Sequence, residues 1–106
     1  MKNLDLSLDR EGYLKNISDW SNEVAEQLAG QSGITLNNNH WQLIMLVREF
    51  YRETGISPTM RPLVKLVRQR IDPELGTSIA LMKLFPGNPA KLIAKISGLP
   101  RPTNCL

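Results

Sequence analysis

The sequence predicts a mainly α fold, a small orthogonal helical bundle with an N-terminal β-hairpin and a flexible C-terminal arm. Three observations predict it. Apolar residues recur at helical spacing along most of the chain. An alternating stretch, Leu4-Asp5-Leu6-Ser7-Leu8, opens it, and Pro100-Arg101-Pro102 follows a glycine stop near its end. The 106 residues fit one small domain. Residues 1–99 are expected to form that domain, and residues 100–106 a mobile arm.

The elements follow in order. Leu4 to Leu8 has the pattern of a half-buried strand. Asp9-Arg10-Glu11-Gly12 reads as a turn and Tyr13-Leu14 as a short return strand, so a hairpin is expected over about residues 3–15. Such a hairpin is marginal alone and must lean on helices. Ser18 reads as the N-cap of the first helix, with Asp19 in its first turn. Trp20, Val24, Ala25 and Leu28 supply its stripe, and Gly30 and Gly33 end it.

Asn37 or Asn38 caps the second helix, which runs from about His40 to Thr54 and stops at Gly55. Trp41, Leu43, Ile44, Leu46, Val47, Phe50 and Tyr51 make it apolar around most of its circumference, so it belongs at the core. Thr59 as N-cap of the third helix puts Pro62 in the first turn, where a missing N–H is harmless. Met60, Leu63, Val64, Val67 and Ile71 are expected to face inward. Arg61, Lys65 and Arg68 fall on another face. A fourth helix is expected over Glu74 to Leu84, with Ile79, Met82 and Phe85 packing inward.

The last helix has the clearest bounds. Asn88 caps it, Pro89 fits its first position, and Leu92, Ile93 and Ile96 give the buried face. Gly98 suits the left-handed stop, with Leu99 closing over Ala94 in a Schellman arrangement. Pro100 forbids continuation, and Pro100-Arg101-Pro102 favours an extended polyproline path. Seven extended residues reach at most about 25 Å, enough to carry a side chain into a partner's pocket.

Composition excludes several classes. Hydrophobic residues make up 42% and charged residues 22%, which is not a disordered composition. The longest apolar run, Leu43 to Val47, is far too short to cross a bilayer, and the first residues have no apolar signal-peptide core. With one cysteine, this places the chain in a reducing, cytoplasmic setting. Residues 1–40 carry three Lys/Arg and six Asp/Glu, whereas residues 41–106 carry ten and four. The second part is therefore basic, which fits solvated helix faces, an acidic protein partner or a nucleic acid.

The chemistry that remains is that of a thiol. The lone histidine, His40, beside Trp41 at a helix start, reads as packing or exposure. No metal-ligand cluster and no glycine-rich phosphate loop is present in the sequence, so neither metal nor cofactor is expected. Cys105 is the only cysteine and the penultimate residue. An exposed thiol is an oxidation liability, so it is either a stray residue on a tail or the working group of the chain. Arg101 on the arm, and Lys91 and Lys95 four apart on the preceding helix, can raise the thiolate fraction or dock a partner. A thiolate can take the outer sulfur of a donor persulfide and pass it on by a second exchange. One cysteine suffices for such a relay.

The run from Gly98 to Leu106, Gly-Leu-Pro-Arg-Pro-Thr-Asn-Cys-Leu, resembles the C-terminal signature of the TusE/DsrC family. Further blocks resemble the family in its order: Glu11-Gly12-Tyr13-Leu14, Ser18-Asp19-Trp20, His40-Trp41, Val47-Arg48-Glu49-Phe50-Tyr51, Ser57-Pro58, Leu63-Val64-Lys65, Leu84-Phe85-Pro86 and Pro89-Ala90-Lys91. The resemblance implies a cytoplasmic sulfur carrier with Cys105 as the sulfur-bearing residue. Members active in dissimilatory sulfur metabolism have a second cysteine that matches Ala94, and its absence favours the TusE-like branch, which relays persulfide sulfur for 2-thiouridine formation in tRNA. The partners implied are an upstream sulfurtransferase complex of the TusBCD or DsrEFH kind and a downstream tRNA thiolase with tRNA; no membrane is expected, and the carrier alone is expected to be monomeric. Two other readings stand beside it: a subunit associated with dissimilatory sulfite reductase, and a helix-turn-helix nucleic-acid binder using Arg61, Lys65 and Arg68.

Overall fold

The computed structural model describes residues 4–103. Five α-helices follow a 3-10 turn at Ile17–Asp19: α1 (Asn22–Gln31), α2 (Asn38–Thr54), α3 (Met60–Arg70), α4 (Ser78–Leu84) and α5 (Pro89–Ile96). Short α5 is the hub and packs against each of the other four. Its apolar content explains the position: Ala90, Ile93, Ala94 and Ile96 are all buried, as is Leu99 beyond it. Around it lie Leu28 of α1, Leu43, Ile44 and Val47 of α2, Leu63 and Val67 of α3, and Leu81 and Phe85 at α4.

The N-terminal hairpin does not form strands among the described residues. It is reduced to one antiparallel bridge, Leu8 with Leu14, closed by Asp9 N–H to the Tyr13 carbonyl (2.8 Å) and Lys15 N–H to the Ser7 carbonyl (2.9 Å). The reason is a competitor. The Gln27 amide of α1 accepts from the Leu4 N–H and donates to the Leu4 carbonyl at 2.8 Å, so the outer limb bonds to a side chain. The 3-10 turn beginning at Ile17, capped by the Asn16 side chain, cuts off the return limb.

Two helix starts differ from expectation. Ser18 is in the 3-10 turn, and Ser21 is the N-cap of α1, its Oγ accepting from the Val24 N–H. Trp20 therefore precedes the helix in extended backbone. Residues from Asp72 to Gly76 form a turn, with Leu75 and Gly76 N–H groups both bonded to the Asp72 carbonyl. Thr77 then caps α4, so the helix starts at Ser78 instead of Glu74. With Leu81 and Phe85 inward, Ile79 and Met82 point out, 72% and 43% exposed. Their expected inward packing is thus overturned by the register the Thr77 cap imposes.

His40 holds α2 to α4. Asn37 Oδ1 accepts from the His40 N–H at 3.1 Å, and His40 Nδ1 accepts from the Asn37 N–H at 3.0 Å, a reciprocal capping box. His40 Nε2 then donates to the Leu84 carbonyl at 2.8 Å, and its ring meets Phe85 edge-on at 5.0 Å.

Candidate functional site

The last turn of α5 is where the arm begins, and its carbonyls present a problem. A helix end leaves its final C=O groups without intrahelical donors. Here each one is met. Ser97 N–H bonds to the Ile93 carbonyl at 2.9 Å, Leu99 N–H to Ala94 at 2.9 Å, and Gly98 N–H to Lys95 at 3.2 Å. The last two are the paired bonds of a Schellman stop, which Gly98 permits by adopting φ +72°.

The next two carbonyls take side chains from far away in the chain. Trp20 Nε1 donates to the Ile96 carbonyl at 2.9 Å. Arg48 Nη1 donates to the Ser97 carbonyl at 2.7 Å. The Arg48 guanidinium also lies over the Trp20 ring, 3.9 Å from its centroid. Burial holds this guanidinium below the ordinary arginine range, and the nearby charge of Arg52 pushes the same way. The negative end of the α5 dipole offsets part of that cost. Gly98 serves a second purpose: a Cβ at that position would sit 2.4 Å from Trp20 Cδ1.

The arm is then seated residue by residue. Ser57 Oγ donates to the Pro100 carbonyl at 2.6 Å. Arg101 Nη1 donates to Glu11 Oε1 at 2.8 Å, an ion pair with both side chains about half exposed. The Pro102 side chain is fully buried. Cys105 lies outside the described residues.

The N-terminal turn brings Arg101, Lys91 and Lys95 into one neighbourhood. Glu11, which holds Arg101, also lines an open cleft of about 340 Å³ together with Tyr13, Asn88, Lys91 and Lys95. The Tyr13 hydroxyl reaches the Lys91 carbonyl at 3.4 Å, and Lys95 Nζ sits 5.2 Å from the Tyr13 ring centroid. These lysines thus flank the turn that holds the arm's base.

The other basic set lies on α3. Arg61, Lys65 and Arg68 are exposed. They are not equivalent, because Arg68 Nη2 donates to the Gly76 carbonyl at 3.2 Å and secures the turn before α4. Among the described residues no group of three or more His, Cys, Asp or Glu could hold a metal ion. No helix among them is long and apolar enough to cross a membrane.

Glu11, Trp20, Arg48 and Ser57 were not marked by sequence reasoning as site residues. One signal pointed to Arg48: it falls four residues after Ile44 and next to Val47, on an otherwise buried stripe of α2. Ser57 and Glu11 stand in blocks that resemble the family, but nothing in their local pattern marks either as an anchor of the arm.

Known proteins resemble the whole chain. A protein of Photorhabdus laumondii named sulfurtransferase TusE is 47% identical over 102 residues, 96% of this chain and 92% of that one. One of the same name from Yersinia pseudotuberculosis is 48% identical over 101 residues, covering 95% and 94%. Among solved structures, the NMR structure of Allochromatium vinosum DsrC superposes with a TM-score of 0.87 at 42% identity, covering 95% of this chain and 90% of that one. The crystal structure of the oxidized gamma-subunit of the dissimilatory sulfite reductase (DsrC) from Archaeoglobus fulgidus gives 0.85 at 36%, covering 99% and 96%. The family model described as DsrC like protein matches residues 1–106, and with these relatives at its side the chain belongs to the DsrC-like family.

Proposed function

We propose that this chain is a sulfur carrier that accepts a persulfide sulfur on Cys105 and relays it towards 2-thiouridine in tRNA. The observation that carries the reading is a sole cysteine three residues beyond the buried Pro102, on an arm whose base is bonded to the body. Relatives named sulfurtransferase at 47% and 48% identity support it.

The relay is two exchanges. The Cys105 thiolate attacks the outer sulfur of a donor persulfide. A new S–S bond forms at Cys105, the donor's S–S bond breaks, and the donor leaves as a thiolate. An acceptor thiolate then attacks the outer sulfur on Cys105, which leaves in turn as a thiolate. Each step moves one sulfur with no net oxidation. Arg101, Lys91 and Lys95 assist by favouring the thiolate or by meeting an acidic partner.

The position matching the second cysteine of the sulfite-reductase branch is Ala94, buried in α5. It has no sulfur with which to close an internal disulfide, which favours the one-cysteine relay over a sulfite reductase cycle. The partners fitting this reading are an upstream sulfurtransferase complex and a tRNA thiolase with its tRNA, in the reducing cytoplasm.

The test is intact mass without reductant, after incubation with a cysteine desulfurase, cysteine and the upstream relay. A gain of one sulfur atom, absent in Cys105→Ser and removed by reductant, is expected. Equal loading of the serine variant would overturn the reading.

A further inference from the structure

The bonds at the end of α5 do more than cap a helix. A C-terminal helix end asks only for a cation near its last carbonyls. A lysine meets that need. What the structure holds instead is a planar guanidinium, laid on an indole at 3.9 Å, with both groups bonded to consecutive carbonyls. Trp20 takes Ile96 and Arg48 takes Ser97. The two bonds therefore constrain two successive peptide units, and so the direction in which the chain continues. Gly98 lies directly against the indole, too close for a Cβ. The next anchor, Ser57 to the Pro100 carbonyl, continues the same line.

We infer that Trp20 and Arg48 are positioning residues of the relay: they set the heading on which the arm leaves the body and hence the approach of Cys105 to a partner's sulfur. This rests on the carrier reading above. It assigns them no part in the thiol's own reactivity. A partly buried guanidinium with its proton affinity lowered by burial and by Arg52 is a costly way to end a helix. The cost is explained if the guanidinium is needed both over the indole and on the Ser97 carbonyl to hold a direction, because a planar cation with several fixed donors is what lysine cannot supply.

The sole cysteine makes the test direct, since a nitroxide placed on Cys105 labels the chain at one site. In the unaltered protein, the label should broaden the amide signals of one sector of the body, and the Gly98, Leu99 and Arg101 amides should be as ordered as those of α5. Arg48→Lys keeps the cation and loses the stack. Trp20→Phe keeps an apolar ring and loses the indole donor. In both, broadening should spread over a wider part of the surface. Loading of unlabelled protein by a small alkyl persulfide should stay within about twofold, while the apparent KM for the unaltered carrier's protein donor rises about fivefold or more.

A purely structural role predicts a lower melting temperature with an unchanged broadening map and unchanged KM in folded variants, and that result overturns the inference. So does finding the Gly98–Arg101 amides of the unaltered protein as mobile as a free tail, which decides the matter even if neither variant folds. If the unaltered protein takes no sulfur from either donor, the carrier reading falls, and the broadening map alone decides whether the pair sets the arm's heading.

Discussion

His40 Nε2 donates to the carbonyl of Leu84, 2.8 Å away and 44 residues along the chain. This one bond joins the start of α2 to the end of α4, while the other ring nitrogen closes the capping box with Asn37. The residue is 5% exposed. Its two ring nitrogens are both engaged in holding the fold, so it has no free atom to offer the thiol.

His40→Leu should therefore lower stability and spare chemistry. It keeps much of the volume but strands the Leu84 carbonyl and opens the cap, a loss of about 2–3 kcal/mol. Urea denaturation should show a lower midpoint with an unchanged slope. Sulfur loading per folded molecule should match the unaltered protein.

Two glycines should respond in opposite directions. Gly98→Ala forces a Cβ into the Trp20 ring at a residue with φ +72°, and should cost about 2 kcal/mol or more. Gly30 lies in helical backbone with open space where a Cβ would go. Gly30→Ala should add about 0.5 kcal/mol by helix propensity. Thermal melts of the two variants side by side would check this, and a stabilised Gly98→Ala would contradict the geometry at the arm's base.

The basic residues of α3 should separate. Arg61→Gln and Lys65→Gln alter exposed side chains and should change stability by less than about 0.5 kcal/mol. Arg68→Gln releases the Gly76 carbonyl and should cost about 1 kcal/mol. Salt-dependent duplex affinity, measured on the same three variants, tests the nucleic-acid reading. A carrier needs no such affinity, whereas a helix-turn-helix binder would lose it with each charge removed.

Pro102 lies only four residues from the last, yet its side chain is fully buried. Pro102→Ser should cost about 1 kcal/mol, from lost apolar burial and a looser unfolded chain. By contrast, Glu11→Gln breaks a half-exposed ion pair with Arg101 and should change stability by less than about 0.5 kcal/mol. Equal effects from the two, seen in denaturant midpoints, would mean that the base of the arm is seated by charge and not by packing.

Where local chemistry decides structure, the sequence was legible. Asn88, Pro89, Gly98 and Leu99 mark α5 because caps, a first-turn proline and a left-handed stop act within a few residues. The same is true of Asn37 and Gly55 at the ends of α2. Ser18 was read as the cap of α1 and the cap is Ser21; both are competent caps, and the Asn16 bond that makes Ser18 part of a 3-10 turn has no distinctive pattern. The alternation at Leu4 to Leu8 indicated extended chain but not that its outer end, Leu4, bonds to the Gln27 amide instead of a strand. In α4 four of seven residues are large and apolar, so periodicity did not reveal that Leu81 is buried while Ile79 is not. For the candidate site, Cys105, Arg101, Lys91 and Lys95 stood out in the sequence. Trp20, Arg48 and Ser57 did not, because what they do depends on tertiary contacts.

The bonds that seat residues 96–101 have one property in common. Ser57, Arg48, Trp20 and Glu11 reach their partners across 43, 49, 76 and 90 residues. A peptide cut from the end of this chain would keep the thiol and the prolines but lose every one of those bonds. Its aim is thus information held by the rest of the polypeptide, lent to the tail only while the whole is folded. A partner that recognises the aim reads the integrity of its carrier at the same time.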